Sequence, residues 1–451
     1  MNAITQESLP ARLRHGTGLV KIVQTSRYPH SICIKSRPMS PTAIRLAVMM
    51  FLQFFVWGAW YVTVGAFMVE KGMSNAAVGN AYTVGPLAAI ISPLFLGLIA
   101  DRFFSTERVL GVLHILGGVA LLIAPTMVGK GSEDSWPFIG ILMLHMLCYM
   151  PTLGLTNTLA FHNIVDQEKE FPVIRVFGTI GWIVANLVIS FVLSADKEAM
   201  QFYVAGGSGI LLGFYSFTLP HTPPPAKGTQ VSIGSILGAE AFVLMGRLSF
   251  AVFMISSFLI CIPLAAYYAF AGVFVDDSGF ENIAATMSLG QMSEIFFMLI
   301  MPLCFRKLGV KWMLLIGMAA WVARYGLFAA AAPTSVTWMI LIGIALHGIC
   351  YDFFFVTGQI YVDKAAGPKI RGQAQGLLVL VTQGVGMLIG AQISGRLSNA
   401  MITGEGAAKL EQWQQFWAAP CIAAGVIMVL FALLFHEKND ATTAAAAPPT
   451  D

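Results

Sequence analysis

The chain has 451 residues, of which 57% are hydrophobic and only 11% charged, with a formal net charge of +3 and a mean hydropathy of +0.75. That composition leaves too little polar surface to cover a water-soluble globule of this size. Hydrocarbon cannot hydrogen-bond backbone groups, so a chain dissolved in a bilayer spans it as helices or as a closed barrel, and the long continuous apolar runs select helices.

Residues 1–40 carry several basic residues and no apolar core, so they read as a disordered basic tail and not as a secretory signal or a span. Met39, just before the first apolar run, is an alternative translation start to Met1. Stretches long enough to cross a bilayer follow near 44–68, 77–100, 108–128, 137–162, 173–194, 200–219, 248–275, 283–304, 309–331, 335–362, 373–397 and 413–435. The fold class expected is therefore an all-α polytopic membrane protein with twelve transmembrane helices. Between the sixth and seventh runs the chain turns polar and proline-rich (Pro220, Pro223, Pro224, Pro225), as suits a connection between two halves. The organisation expected is a six-helix bundle over 41–219, a cytoplasmic linker over 220–246, a second six-helix bundle over 247–437 and a disordered tail over 438–451.

Positive residues in short loops tend to remain cytoplasmic. The face holding both termini carries 19 of the 26 Lys and Arg residues and the opposite face five, which predicts cytoplasmic termini in the inner membrane. Arg175 and Arg324 fall inside apolar stretches instead. Five of the six cysteines also lie in spans, as small buried hydrophobes without a disulfide pattern.

The halves repeat each other. Leu144, His145, Cys148 and Tyr149 in the fourth stretch are matched by Leu346, His347, Cys350 and Tyr351 in the tenth, at a constant offset of 202 residues. The basic loop after the second stretch (Asp101, Arg102, Glu107, Arg108) is echoed after the eighth by Arg306, Lys307, Gly309 and Lys311. Parallel repeats of this kind are how the two halves of major facilitator transporters are arranged, with the substrate site near midplane between them. Gly97, Asp101, Arg102 and Arg108 in GLIADRFFSTER resemble that superfamily's cytoplasmic gating motif, in which an acidic helix end pairs with basic residues across the halves.

An ionised side chain at the bilayer centre costs at least about 2.5–3.5 kcal/mol, so it is normally paired, neutralised or facing a cavity. Arg175, Glu294, Arg324 and Asp352 are such residues. Arg324 has no partner evident in sequence and is expected to be structurally paired or to snorkel. The other three have polar and aromatic neighbours at helical spacing: Arg175 with Thr179 and Trp182, Gln291 with Glu294, and His347 with Tyr351 beside Asp352. Gln53, Trp57 and Trp60 share a face of the first helix. Together they describe a polar cavity with aromatic walls, suited to a neutral, partly planar, hydrogen-bonding solute. One Arg and no glycine-rich loop at a helix start disfavour a phosphorylated one.

The segments FLQFFVWGAW (Phe51 to Trp60), YMPTLGLTNT (Tyr149 to Thr158), FPVIRVFGTIGW (Phe171 to Trp182), QMSE (Gln291 to Glu294) and YDFFFVTGQIYVDK (Tyr351 to Lys364) resemble the nucleoside:proton symporters of the major facilitator superfamily. The likeness runs from about Arg45 to His436. It implies that Arg175, Thr179, Trp182, Gln291 and Glu294 contact a bound nucleoside and that Asp352 carries the coupling proton, with Glu294 as a second proton-linked carboxylate. The chain departs from the pattern in helix seven, where Ala265 and Tyr268 stand in place of two amides, and in helix ten, where His347 and Tyr351 replace a tyrosine and a phenylalanine. Tyr268, His347 and Tyr351 are accordingly expected to line the substrate.

The function implied is proton-coupled uptake of nucleosides by alternating access, the alternative being a symporter of another small neutral solute such as a sugar or a nucleobase. No metal or organic cofactor is expected, only the proton. The partners expected are the solute and the lipid bilayer, with no nucleic acid, and the protein is expected to be monomeric. A sensor would carry an appended soluble domain, and an enzyme would show a motif such as HExxH or GxSxG; neither is present.

Overall fold

The computed structural model describes residues 39–95, 103–128, 135–224, 234 and 238–436. Apart from Met39 and Ser40, the tails expected over 1–40 and 438–451 lie outside the described residues, as do Gly97, Asp101 and Arg102 of the gating motif. Every long element is helical. Among the described residues, ten stretches are long and apolar enough to cross a membrane. One of them, Ile283–Thr334, is two spans joined at Gly309, whose φ of 69° breaks the helix. A further helix, Met200–Ser216, is just 17 residues long. Twelve antiparallel spans result. We number them α1 (Pro41–Glu70), α2 (Asn75–Phe95), α3 (Thr106–Met127), α4 (Trp136–Asn163), α5 (Lys169–Val192), α6 (Met200–Ser216), α7 (Leu248–Asp277), α8 (283–308), α9 (310–334), α10 (Thr337–Gly367), α11 (Ile370–Met401) and α12 (Gly406–Leu434).

The spans agree with the sequence reading to within a few residues, except that α12 begins seven residues before the expected 413. Gln412 in its first turns accepts from the amides of Thr403 and Gly404, tying the polar start of the helix to the preceding loop, so hydropathy alone places the boundary late. Large apolar side chains face outward along the spans, among them Leu299 and Leu433, while the interior between helices is packed with small and aromatic residues, as expected where lipid is the solvent.

Within the first half α1 packs on α5 and α3 on α6; within the second α7 packs on α11 and α12. The two halves meet along α2–α11, α1–α7 and α5–α8. The polar bonds between them gather at the face opposite the chain ends, called the far face below. There Gln392 donates to Asn80 (2.8 Å) and Lys197 pairs with Asp276 (3.1 Å). The first turn of α8 is capped from the other half: the Ala284 amide donates to the Asp196 carboxylate (2.7 Å) and the Ala285 amide to the Ser190 hydroxyl (2.9 Å), which itself donates to Asp196 (2.7 Å). These free amides of a helix start are normally satisfied by the helix's own N-cap residue. Here the cap, and so the favourable meeting of a carboxylate with the positive end of the helix dipole, exists only while the far face is shut.

Burial pushes the Asp196 carboxyl above its ordinary range, against the pull of the Ala284 amide, the Ser190 hydroxyl and Lys197. A proton thus binds the closed latch more tightly than it binds an exposed carboxyl. Its contribution to closure is complete below the ordinary aspartate range and is lost as pH rises through the raised value. Spin labels at the start of α6 and the start of α8 should therefore report a larger closed fraction as pH falls from neutral into the carboxylate range. Asp196→Asn should flatten this profile, and an unchanged profile in that variant would show that another group titrates. Asp196→Ala, which removes the cap, should weaken closure by about 1 kcal/mol.

Candidate functional site

The site begins with how closely α1 and α5 approach. A Cβ on Gly181 would overlap the carbonyl of Phe51, so only glycine permits this contact. It fixes the rotation of α5 and turns Arg175, Thr179 and Trp182 toward the seam between the halves. The Arg175 guanidinium lies over the Phe54 ring, 4.2 Å from its centroid, and forms no ion pair within 4 Å among the described residues. Trp182 meets Trp57 edge-on (5.4 Å, 71°) and Tyr61 at 6.3 Å, while Trp57 also packs on Tyr149 at 5.5 Å. Arg175, Thr179 and Trp182 are partly exposed, yet Asn186 and Ser190 farther along the same helix are buried. The exposure falls toward the far face, so the site is reached from the face of the chain ends.

The opposite wall belongs to α8 and α10. A Cβ on Gly348 would sit 2.6 Å from the Ser293 carbonyl carbon, and the Gly348 amide donates to the Ser293 hydroxyl (3.0 Å). This close crossing sets Gln291 and Glu294 beside His347 and Tyr351. Residues Tyr351–Val356 form a π-helical turn, a local widening common at functional sites, and Asp352 sits in it. Glu294 is the carboxylate that Arg175 acts on electrostatically across the seam, and both influence Tyr351. Asp352 is fully buried behind them, with Glu294 as the charged group acting on it and neither carboxylate oxygen hydrogen-bonded to a described residue. The Gln291 Oε1, Trp57 Nε1, Trp182 Nε1 and His347 Nδ1 atoms are likewise buried without a partner. Such idle polar atoms are scarce in folded proteins. Several of them around one seam, between aromatic walls, mark a place built for a hydrogen-bonding solute.

Several expectations need correction. Gln53 is not in the cavity: it donates to Thr152 (2.8 Å) and pairs with His114 (2.7 Å) inside the first half, and Trp60 is buried among Tyr61, His145 and Phe202. Both lie on the side of α1 turned into its own bundle. Arg324 neither snorkels nor pairs with a carboxylate. It is fully buried, its Nε donates to the Gly343 carbonyl (3.1 Å), and its guanidinium stacks 4.0 Å from the Tyr267 ring centre. Tyr267 in turn stacks on His347 (5.7 Å, 18°) and His347 on Tyr351 (6.1 Å, 28°). His347 therefore serves as a middle member of a column more than as an open wall, being only 4% exposed. The carboxylate across the seam from Arg175 is Glu294, while Asp352 interacts with Glu294.

Tyr268 does reach the seam, at 6.1 Å from Tyr61 of the other half, whereas Ala265 is buried against Gly390 of α11. Arg108 is exposed and carries no described ion pair. Sequence reasoning missed Tyr61 and Tyr149 as wall members, and Tyr61 was readable as the residue one turn after Trp57. Among the described residues no group of three or more His, Cys, Asp or Glu side chains is placed to hold a metal ion.

The comparisons with known proteins agree with this architecture. A sequence model described as "Nucleoside H+ symporter" matches residues 39–440. YegT of Escherichia coli (strain K12), described as a candidate nucleoside transporter, is 37% identical over 91% of this chain and 97% of its own length. The xanthosine permease of the same organism is 31% identical over 88% of this chain and 97% of its own. The crystal structure of the nucleoside transporter NupG superposes with a TM-score of 0.78 at 29% identity, covering 88% of this chain and all of that one. The arrangement of the twelve helices is thus the major facilitator fold. The chain is a transporter and not an enzyme, and it belongs to the nucleoside H+ symporter family.

Proposed function

We propose that this protein takes up nucleosides together with protons by exposing one central site alternately to the two sides of the membrane. The observation that carries the reading is the pair of opposed walls at the seam. Arg175, Thr179 and Trp182 from one half confront Gln291, Glu294 and Tyr351 from the other, with hydrogen-bonding atoms left idle between them. A nucleoside offers the complement of such a site, with a flat base for the aromatic walls and sugar hydroxyls and base edges for the polar groups. The names of the relatives point to the same solute class.

The excess of Lys and Arg on the face of the chain ends supports placing that face in the cytoplasm of a cell whose inner membrane holds the protein. With the far face latched, the described conformation is then the inward-open one. Each monomer contains both walls, so one chain suffices for the cycle.

Proton coupling is assigned to Asp352, with Glu294 linking it to the substrate. Asp352 is fully buried and no described residue hydrogen-bonds its carboxylate, a setting that disfavours the ionised form, so it crosses the cycle more readily as the neutral acid. Glu294 interacts electrostatically with Arg175 and with Asp352. For coupling, proton and substrate must favour the same conformation, and substrate drawing on Arg175 and Glu294 would alter the field at Asp352.

Reconstituted protein with an imposed pH gradient should accumulate labelled uridine or adenosine, with competition by unlabelled nucleosides and none by sugars; sugar competition would instead select a sugar symporter on the same scaffold. In Asp352→Asn, uphill accumulation should vanish while exchange across equal pH persists, and full accumulation would exclude Asp352 as the proton carrier. Arg175→Lys keeps the charge and loses the planar fork. It should weaken nucleoside binding by about tenfold, or ~1.4 kcal/mol, as read by titration calorimetry.

A further inference from the structure

The face of α5 that enters the site continues beyond it. Asn186 follows Trp182 by one helical turn and Arg175 by three, and Ser190 of the far-face latch follows Asn186 by one more. Around the helix, Asn186 shares the direction of Arg175 and Thr179, between that of Gly181, which packs on α1, and that of Ser190, which meets α8. It therefore points along the seam, just outward of the aromatic cluster of Trp57, Tyr61 and Trp182. Asn186 is fully buried, and neither its Oδ1 nor its Nδ2 has a hydrogen-bond partner among the described residues.

A buried amide with both its donor and acceptor sides idle is costly, and asparagine has no helix propensity that would favour it in mid-span. The arrangement becomes intelligible through its position. The latch of Ser190, Asp196 and the start of α8 closes the seam immediately outward of Asn186. When that latch parts, Asn186 is the next polar group on the wall that opens.

We propose that Asn186 is a substrate-contacting residue of the conformation open at the far face, an amide on the path of a solute entering from that side, and idle while that side is shut. This rests on the alternating-access reading above. The ligand chemistry that fits is a heterocycle edge with adjacent donor and acceptor, such as the lactam of an oxopyrimidine or the amino edge of a purine, which an amide engages through two parallel hydrogen bonds. The role is separate from that of Arg175 and Glu294, which are partly exposed in the conformation described.

Two measurements test it. In proteoliposomes of uniform orientation, Asn186→Leu should raise the KM for uridine entering from the far face by about tenfold, while the KM for entry from the opposite face changes by less than about twofold. Asn186→Gln, which keeps the amide, should recover much of the loss. Without substrate, Asn186→Leu should also melt at a higher temperature than the wild type, because it removes an unpaired polar group from the closed far face. Equal KM changes from both faces, or no change from the far face, would overturn the proposal. If the wild type carries no nucleoside, the transport function proposed above fails, and the melting comparison alone decides here: a melting temperature for Asn186→Leu at or below that of the wild type overturns it.

Discussion

Water is absent from the bilayer interior, and Arg175, Glu294, Arg324 and Asp352, placed there, have to find other sources of stabilisation. Arg324 finds it in a carbonyl and an aromatic face and is thereby fixed inside its own half. Arg175 finds an aromatic face on one side and the field of Glu294 on the other, across the seam. Asp352 finds neither a cation nor a hydrogen bond among the described residues. The difference among these solutions separates a structural charge from working ones. It also explains why the seam between the halves, where polar groups of both walls are left uncommitted, is where the chemistry gathers.

Much of this was legible in the sequence, because hydrophobicity and spacing are local properties. Span lengths, the six-plus-six division, the repeat at an offset of 202 residues and the stripe of Arg175, Thr179 and Trp182 all follow from positions along one helix. What the sequence withheld depends on how helices are rotated against one another. Gln53 and Trp57 are one turn apart and look equivalent, yet a few tens of degrees send Gln53 toward His114 and Thr152 and leave Trp57 at the seam. That rotation is set by the Gly181 approach to Phe51, a contact between residues distant in sequence. For the same reason Glu294 and Asp352 could not be ranked by distance from Arg175 before the π-turn of α10 was seen to turn Asp352 inward.

The latch at the far face shows the same economy of parts. A helix start with unsatisfied amides needs a cap wherever it stands, and here a loop of the other half provides it. Closure is thus stabilised by groups whose needs in the open form are met by water. The difference between the two states is then small, as reversible cycling requires. Bonds much stronger than these at the same place would hold the protein in one state.

The column of Arg324, Tyr267, His347 and Tyr351 has a mechanical meaning as well. Three near-parallel rings and a guanidinium form a strut that runs from the packed interior of the second half to the wall of the site. A strut passes on position without flexing, so the tilt of Tyr351 is dictated from deep inside its own bundle and travels with that bundle as a rigid piece. The facing wall is different in kind: Trp57 and Trp182 touch edge-on, an arrangement that tolerates sliding. Accommodation of solutes of unlike shape therefore falls to the tryptophan side, and the tyrosine side serves as the fixed reference against which they are measured.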